Sequence, residues 1–185
     1  MSTPFDIPIT QPSGGGGGGL YSITQTADAV VYTDPGLDDG THMSILDLTI
    51  TPTSDTQQIY LTSTINGEWG GVAGAVWLGG IVLKRKIGSA SAVALFPDSP
   101  DPAPKSLQLK TNGLFMISYP NDISTTSESA TFSYVDIPGT TSEVTYQVFV
   151  FNRNESADFY LNRNVSDDNN NLNKRMVSSL FAQGL

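Results

Sequence analysis

The chain has 185 residues, a formal net charge of −9 and no cysteine. An acidic chain lacks the basic face that nucleic acids require, so the charge argues against nucleic-acid binding. The absence of cysteine excludes disulfides, thiolate nucleophiles and zinc sites with cysteine ligands. Only 15% of the residues are charged, and Thr, Ser, Asn and Gly supply the remaining polarity, which is typical of β-rich proteins.

The sequence shows no pattern for secretion or for membrane insertion. Its first residues, MSTPFDIPIT, lack the basic start and the apolar run of a signal peptide. No stretch approaches the ~20 consecutive apolar residues that span a membrane. We therefore expect a protein that is synthesised and folded in a cytoplasm and has no membrane partner.

Residues 1–19 predict an extended N-terminal arm. Prolines recur every four residues and a run of six glycines follows them; proline forbids helix, and glycine loses the most entropy when it is ordered. One interpretation is a disordered leader. Against it, apolar side chains at Phe5, Ile7 and Ile9 are unusual in a solvated tail. We therefore predict that Phe5, Ile7, Ile9 and Pro12 bind a partner surface.

From Ala29 onward, apolar and polar residues alternate with a period of two, which predicts strands. The stretches SILDLTI and QQIYLTSTI show the alternation most clearly. Their predicted inward residues are Leu46, Leu48, Ile50, Ile59, Leu61 and Ile65. Asn66 and Gly67 follow directly and predict the turn of a β-hairpin.

Further strands are predicted in GVAGAVWLGGIVLKRK, GLFMISY, ATFSYVDI, EVTYQVFVFN, ADFYLNRNV and RMVSSLFAQ. The proline-rich stretch PDSPDPAPK between them predicts a loop. About nine or ten short strands, with no clear helical period, predict an all-β antiparallel sandwich. We assign this single domain to residues 20–185.

The run Lys84-Arg85-Lys86 is the densest positive patch in this acidic chain. One interpretation is a solvated hairpin tip. The functional interpretation is a salt-sensitive contact with an acidic partner surface.

The strand VTYQVFVF carries apolar side chains on both of its faces. One face can fill the sandwich, whereas Phe149 and Phe151 lie on the other and need a cover of their own. That cover is either a loop of the same chain or a neighbouring subunit. For the second alternative, the candidate interface residues are Phe149, Phe151 and Tyr160.

No constellation in the sequence predicts catalysis. His42 is the single histidine, and turn chemistry explains the nearby Asp38 and Asp39 better than a catalytic triad does. Glu68 and Trp69 could line a sugar-binding surface, but one aromatic ring with one acid favours core packing or a loop plug. We therefore predict no catalytic residue and no enzymatic activity.

Two acidic pairs could supply oxygen ligands to a hard cation. They are Asp98 with Asp101, and Asp167 with Asp168 in the stretch SDDNNNLN. Neither has the fixed spacing, glycine and distal glutamate of an EF-hand loop. We expect solvated turns, predict no metal or other cofactor, and leave open a cation near Asp167.

Five stretches occur in one order between residues 44 and 183: LTITPTSDTQQIYLTSTING, LKRKIG, YVDIPGTTSEVTYQVFV, YLNRNVSDD and SSLFAQGL. Together they resemble the C1q/TNF-like jelly-roll domain of fibre proteins of tailed phages and algal viruses; the run from Asp136 to Tyr146 is the most specific. The resemblance implies a jelly roll that assembles as a parallel homotrimer, with a structural or adhesive role on a virion and no catalysis. This chain departs from the larger members in its long loop FPDSPDPAPKS and in having no shaft.

The sequence therefore suggests a trimeric decoration protein on the outer surface of a virion, whose partner is the major capsid protein. The alternative is the tip of a tail fibre that recognises host surface glycans. A third hypothesis is a cellular C1q-like or lectin module.

Overall fold

The computed structural model describes residues 21–33, 35, 40–71, 79–95, 114–115, 127–152, 157–166 and 176–185. Within these ranges the chain forms twelve β-strands and one 3₁₀ turn, and no α-helix. The strands are β1 Tyr21–Thr26, β2 Val30–Tyr32, β3 Thr41–His42, β4 Leu48–Ile50, β5 Ile59–Gly71, β6 Gly79–Ile87, β7 Val93–Ala94, β8 Leu114–Phe115, β9 Glu128–Asp136, β10 Val144–Asn152, β11 Ala157–Leu161 and β12 Ser178–Gly184.

The strands form two antiparallel sheets of six strands each. In sheet A, β5 pairs with β9 along one edge and with β12 and β11 along the other. β1 lies outside β12, and β2 lies outside β11. In sheet B, β10 pairs with β6 along one edge and with β3 and β4 along the other. β7 and β8 lie outside β6.

The chain passes repeatedly between the two sheets. β1 and β2 belong to sheet A, β3 and β4 to sheet B, β5 to A, β6 to β8 to B, β9 to A, β10 to B, and β11 and β12 to A. The prediction of an all-β antiparallel sandwich is confirmed, and this topology is consistent with a jelly roll. The unpredicted strands β3 and β7 are only two residues long and show no alternation of their own, whereas β8 lies within the predicted stretch GLFMISY.

The core lies between the sheets and is filled by alternate residues of the central strands. The predicted inward residues of β5 and the inward residues of β10 are all fully buried. They are Ile59, Leu61, Ile65, Val144, Tyr146, Val148 and Val150. Burial of each of these large apolar side chains contributes about 1.5–3 kcal/mol, less the entropy of fixing it.

The predicted hairpin turn at Asn66 and Gly67 is wrong, because β5 runs straight through both residues. A Cβ atom at position 67 would lie 2.5 Å from Cζ of Phe159 and 2.6 Å from the carbonyl oxygen of Tyr160. The glycine therefore permits the close approach of β11 rather than a change of direction.

Buried polar side chains fill the junction at which β5 changes partner from β12 to β11. Asn66 Nδ2 donates a hydrogen bond to the carbonyl of Val177 at 2.6 Å. Asn162, fully buried, donates from Nδ2 to the carbonyl of Thr26 at 2.9 Å and accepts from Ser178 Oγ at 2.6 Å. These bonds replace the ladder that the change of partner interrupts, so the junction leaves few backbone groups unsatisfied.

The first predicted strand, SILDLTI, begins later than expected. Ser44–Leu46 form the 3₁₀ turn, and β4 begins at Leu48. Leu46, Leu48 and Ile50 are nevertheless all buried, so the predicted face is confirmed. Because β3 and β4 both pair with β10, the turn interrupts one edge of sheet B and leaves Asp47 beside it.

Candidate interaction surfaces

The outward side chains of β1, β12, β9 and residues 60–64 of β5 form a surface that we call the neutral face. Cross-strand partners share a face, so the registers arrange these side chains in rows across four strands. The rows are Tyr21, Gln183, Tyr60 and Val135; then Ile23, Phe181, Thr62 and Ser133; then Gln25, Ser179, Thr64 and Thr131. None of these side chains is charged, although the chain has 9 basic and 18 acidic residues.

Hydroxyl groups on the neutral face bond to one another. Tyr60 donates to Ser133 Oγ at 3.2 Å, and the hydroxyls of Thr64 and Thr131 lie 3.2 Å apart. Thr62 Oγ1 donates to the carbonyl of Phe132 at 3.2 Å. Much of the hydrogen-bonding capacity between β5 and β9 is therefore used within the chain.

Sheet B presents a different outer surface, which we call the charged face. It consists of the outward side chains of β3, β10 and β6 together with Asp47. Nζ of Lys84 lies 4.1 Å from the centre of the Phe149 ring, within the range of a cation–π interaction. Lys86 lies on the same face, opposite Thr145.

Strand alternation separates the predicted patch of Lys84, Arg85 and Lys86. Lys84 and Lys86 point outward, whereas Arg85 shares the inward face with Tyr146, its cross-strand partner. The basic run is therefore two outward lysines and one inward arginine, and it lies within β6 rather than at a hairpin tip.

Arg85 and Tyr146 of sheet B bind the carboxylate of Asp136 at the end of β9 in sheet A. Arg85 Nη1 lies 2.6 Å from Asp136 Oδ1, and Tyr146 donates from its hydroxyl to Oδ2 at 2.8 Å. Asp136 is 5% exposed, so its charge needs both partners. Burial raises the pKa of Tyr146 well above its usual value, and the negative charge and hydrogen bond of Asp136 raise it further.

His42 belongs to a polar cluster on the charged face. Its Nε2 lies 2.6 Å from Asp47 Oδ1, and Gln147 Nε2 donates to Asp47 Oδ2 at 3.3 Å. The ring stacks on Phe149 with a centroid distance of 4.8 Å. The sequence missed the pairing with Asp47 because the 3₁₀ turn, which brings the two residues together, was not predicted.

The three candidate interface residues lie in different surroundings. Phe151 is fully buried within one chain, so a neighbouring subunit is not needed to cover it. Phe149 is half-buried between His42 and Lys84 on the charged face. Tyr160 is also half-buried, on the outer side of sheet A, and the guanidinium carbon of Arg163 lies 4.8 Å from its ring centre.

Glu68 and Trp69 are both 4% exposed. Trp69 packs against Phe159 with a centroid distance of 5.1 Å, and Glu68 Oε2 accepts a hydrogen bond from the backbone N–H of Val165 at 2.6 Å. Neither side chain is available to stack on a sugar, in agreement with the preference for core packing.

Other predicted residues lie outside the part of the chain that the structure describes. They are the arm residues Phe5, Ile7, Ile9 and Pro12, and the acidic residues Asp38, Asp39, Asp98, Asp101, Asp167 and Asp168. In the described ranges, His, Asp and Glu form no group of three or more that could hold a metal ion. No helix in these ranges is long and apolar enough to cross a membrane.

Comparison with known proteins does not assign the chain to a family. No family model matches the sequence, and no curated protein matches it.

Proposed function

We propose that this chain is a virion structural protein: a homotrimeric decoration protein that binds the outside of a tailed-phage capsid and stabilises it. The antiparallel sandwich and the resemblance of residues 44–183 to virion jelly-roll domains support this function. The run from Asp136 to Tyr146, which carries the resemblance most specifically, has its first and last side chains joined by a hydrogen bond of 2.8 Å.

The observation that carries the proposal is the exposed apolar end of the sandwich at which β1 begins. β1 begins at Tyr21, opposite Gln183 near the end of β12. Leu185 is bound there through its N–H to the carbonyl of Gln58 at 2.9 Å. Val135, Ile137 and Leu185, at the same end, are 46%, 54% and 65% exposed. The predicted arm of residues 1–19 precedes β1 in the sequence, and exposed apolar side chains at the end where β1 begins suit attachment of this end to another protein.

Stabilisation of the capsid would follow from mass action. A protein that binds the assembled shell and not its separated subunits shifts the equilibrium against rupture. Three arms on one trimer would bind together, so each weak contact would gain from the high effective concentration of the others. Phe5, Ile7, Ile9 and Pro12 would make the contact with the major capsid protein.

A tail-fibre tip that binds host glycans is the second candidate. The half-exposed rings of Tyr21 and Tyr60 on the neutral face favour it, because aromatic rings stack on sugars. Quantitative mass spectrometry of purified virions separates the two candidates: many copies relative to the major capsid protein indicate decoration, and a few copies indicate a tail appendage. Absence of the chain from virions would contradict both.

Removal of the arm tests the mechanism. A variant that begins at Leu20 should keep its fold and its association but lose binding to capsids that lack the protein. A full-length variant with Phe5, Ile7 and Ile9 replaced by serine should behave in the same way. The matched control replaces Lys84 and Lys86 by methionine: reduced binding of this control, with a salt-sensitive wild type, would move the contact to the charged face. Full binding by both arm variants would contradict the proposal.

A further inference from the structure

The neutral face is an uncharged surface on a strongly acidic chain. In the row of Tyr21, Tyr60 and Val135, Tyr21 and Val135 are 37% and 46% exposed and Tyr60 is half-buried. Ile23 and Phe181, in the next row, are also half-buried. We propose that a second copy of this chain covers the neutral face. The inference assigns a contact surface to the homotrimer of the proposed function, and it rests on that function only for the number of copies.

The charge of the chain favours a second copy as the occupant. Two copies that each carry a formal charge of −9 repel one another over most of their surfaces. Close contact between copies therefore costs least where neither contributes a charged side chain, because no ion has to be desolvated or left unpaired. The neutral face meets this condition across four neighbouring strands.

The hydroxyl pairs favour a protein over a glycan as the occupant. A glycan is recognised by polar groups that remain free to bind its hydroxyls, whereas Tyr60, Thr62 and Thr64 already bond within the chain. Covering groups that are already bonded costs little desolvation energy. Ile23, Phe181 and Val135, on the strands beside β5 or next to them, supply apolar area that a second chain can bury.

The dimensions of the neutral face suit the centre of a protein–protein contact. The face is four strands wide, at ~4.8 Å per strand, and its three rows together cover ~20 Å of strand length. The projected area is therefore ~400 Å². Each partner in a stable interface contributes ~800 Å² of accessible surface. Ile137 and Leu185, which directly follow β9 and β12, are 54% and 65% exposed and add apolar area beside the row of Tyr21 and Val135.

A charge placed at the centre of the face provides the main experiment. Thr62 lies in the middle row, between Phe181 and Ser133, so Thr62→Glu would bury an unpaired carboxylate in the assembly. The matched control is Thr145→Glu, because Thr145 is an outward, half-buried residue of β10 that lies opposite Lys86. Sedimentation velocity should show an oligomer for the full-length chain and for Thr145→Glu. For Thr62→Glu the dissociation constant should rise at least ~100-fold, the effect expected of an unpaired buried charge.

Cysteine labelling provides a second measurement that does not require the fold to tolerate a glutamate at position 62. The chain has no cysteine, so Thr62→Cys and Thr145→Cys each introduce a single reactive thiol. Maleimide should modify Cys at position 62 about tenfold more slowly in the oligomer than after dilution to monomers, because burial excludes the reagent. Labelling at position 145 should be equally fast in both states. Circular dichroism and urea unfolding would confirm that each variant is folded.

Three results would overturn the inference. The full-length chain could be monomeric at high concentration; Thr62→Glu could associate as tightly as Thr145→Glu; or position 62 could become protected only when virions are added, which would identify another protein as the occupant. The proposed function fails separately, if virions contain no copies of a chain that still associates in solution.

Discussion

The neutral face of sheet A and the charged face of sheet B differ in charge, although alternating side chains of antiparallel strands form both. The neutral face of sheet A presents Thr, Ser, Gln and a few apolar side chains, and its hydroxyls bond to one another. The charged face of sheet B presents His42, Asp47, Lys84 and Lys86 around the ring of Phe149. Charged side chains favour the solubility of a surface that stays in contact with water. On a surface that another chain covers, each unpaired charge weakens binding because it must be desolvated.

The difference between the faces also separates two uses of aromatic side chains. On the charged face, His42 and Lys84 lie on Phe149, so the chain itself covers much of that ring. On the neutral face, Phe181 has Ile23 and Thr62 as its cross-strand partners and no charged side chain in its row. Phe181 therefore presents an aromatic side chain that no charged group of its own row covers. Of the interface residues predicted from the sequence, Phe149 and Phe151 lie on sheet B and Tyr160 lies on sheet A.

The largest effect should come from Arg85, which the sequence places in the basic run and the structure places against Asp136. Arg85→Met would leave the carboxylate of Asp136, 5% exposed, without its cation and should lower the free energy of unfolding by about 3 kcal/mol. Lys86→Met, on the charged face, should change it by less than ~0.5 kcal/mol. Urea unfolding of the two variants measures the difference.

The double variant Arg85→Met with Asp136→Asn serves as the control for this prediction. It removes both charges and leaves Tyr146 a neutral acceptor, so it should recover a large part of the lost stability. Equal, small effects of Arg85→Met and Lys86→Met would instead restore the original interpretation of the run as a solvated patch.

The parts of this structure that depend on alternation alone could be predicted from the sequence. The inward residues of β4, β5 and β10 follow from a period of two, and the same rule, applied to Lys84, Arg85 and Lys86, would have divided the basic run between two faces. Gly67 could not be predicted in the same way, because its role depends on the ring of Phe159, which is distant in sequence. The partners of His42 and Arg85 were missed for a similar reason: a 3₁₀ turn and the packing of the two sheets bring them together.

The neutral face illustrates the same limit. Each of its strands shows polar outward residues in the sequence, but no single strand indicates that four of them lie side by side without a charge. That property appears only when the registers of β1, β12, β5 and β9 are known. Sequence patterns predict the face of each residue, and the order of strands in a sheet determines the chemistry of the surface that those residues share.

A smaller effect should come from Tyr146, which with Asp136 joins the sheet of the charged face to that of the neutral face. Because burial and Asp136 raise the pKa of Tyr146 in the folded protein, the folded state retains the phenolic proton above pH ~10, where the unfolded state releases it. Stability is therefore complete below that pH and should fall by about 1.4 kcal/mol per pH unit above it. Tyr146→Phe should remove the part of this loss that Tyr146 contributes.

Tyr32 contributes to the same pH dependence, so its substitution serves as the control for Tyr146→Phe. Burial alone raises the pKa of Tyr32, so Tyr146→Phe should flatten the alkaline decline without abolishing it, and adding Tyr32→Phe should flatten it further. Urea midpoints measured between neutral pH and pH ~11 give the slopes. A slope that Tyr146→Phe leaves unchanged would show that the hydroxyl is not buried against Asp136.

The smallest effects compare one pair of side chains from each face. A double-mutant cycle with Lys84→Met and Phe149→Leu should give a coupling energy of about 0.5–1 kcal/mol, the size of an exposed cation–π interaction. The matching cycle on the neutral face, Thr64→Val with Thr131→Val, should give ~0.2–0.5 kcal/mol. Concentrated salt should weaken the first coupling and leave the second unchanged, because screening acts only on the charged pair. An equal response of both couplings to salt would contradict this prediction. The two faces would then differ in amino-acid composition but not in the forces that hold their side chains in place.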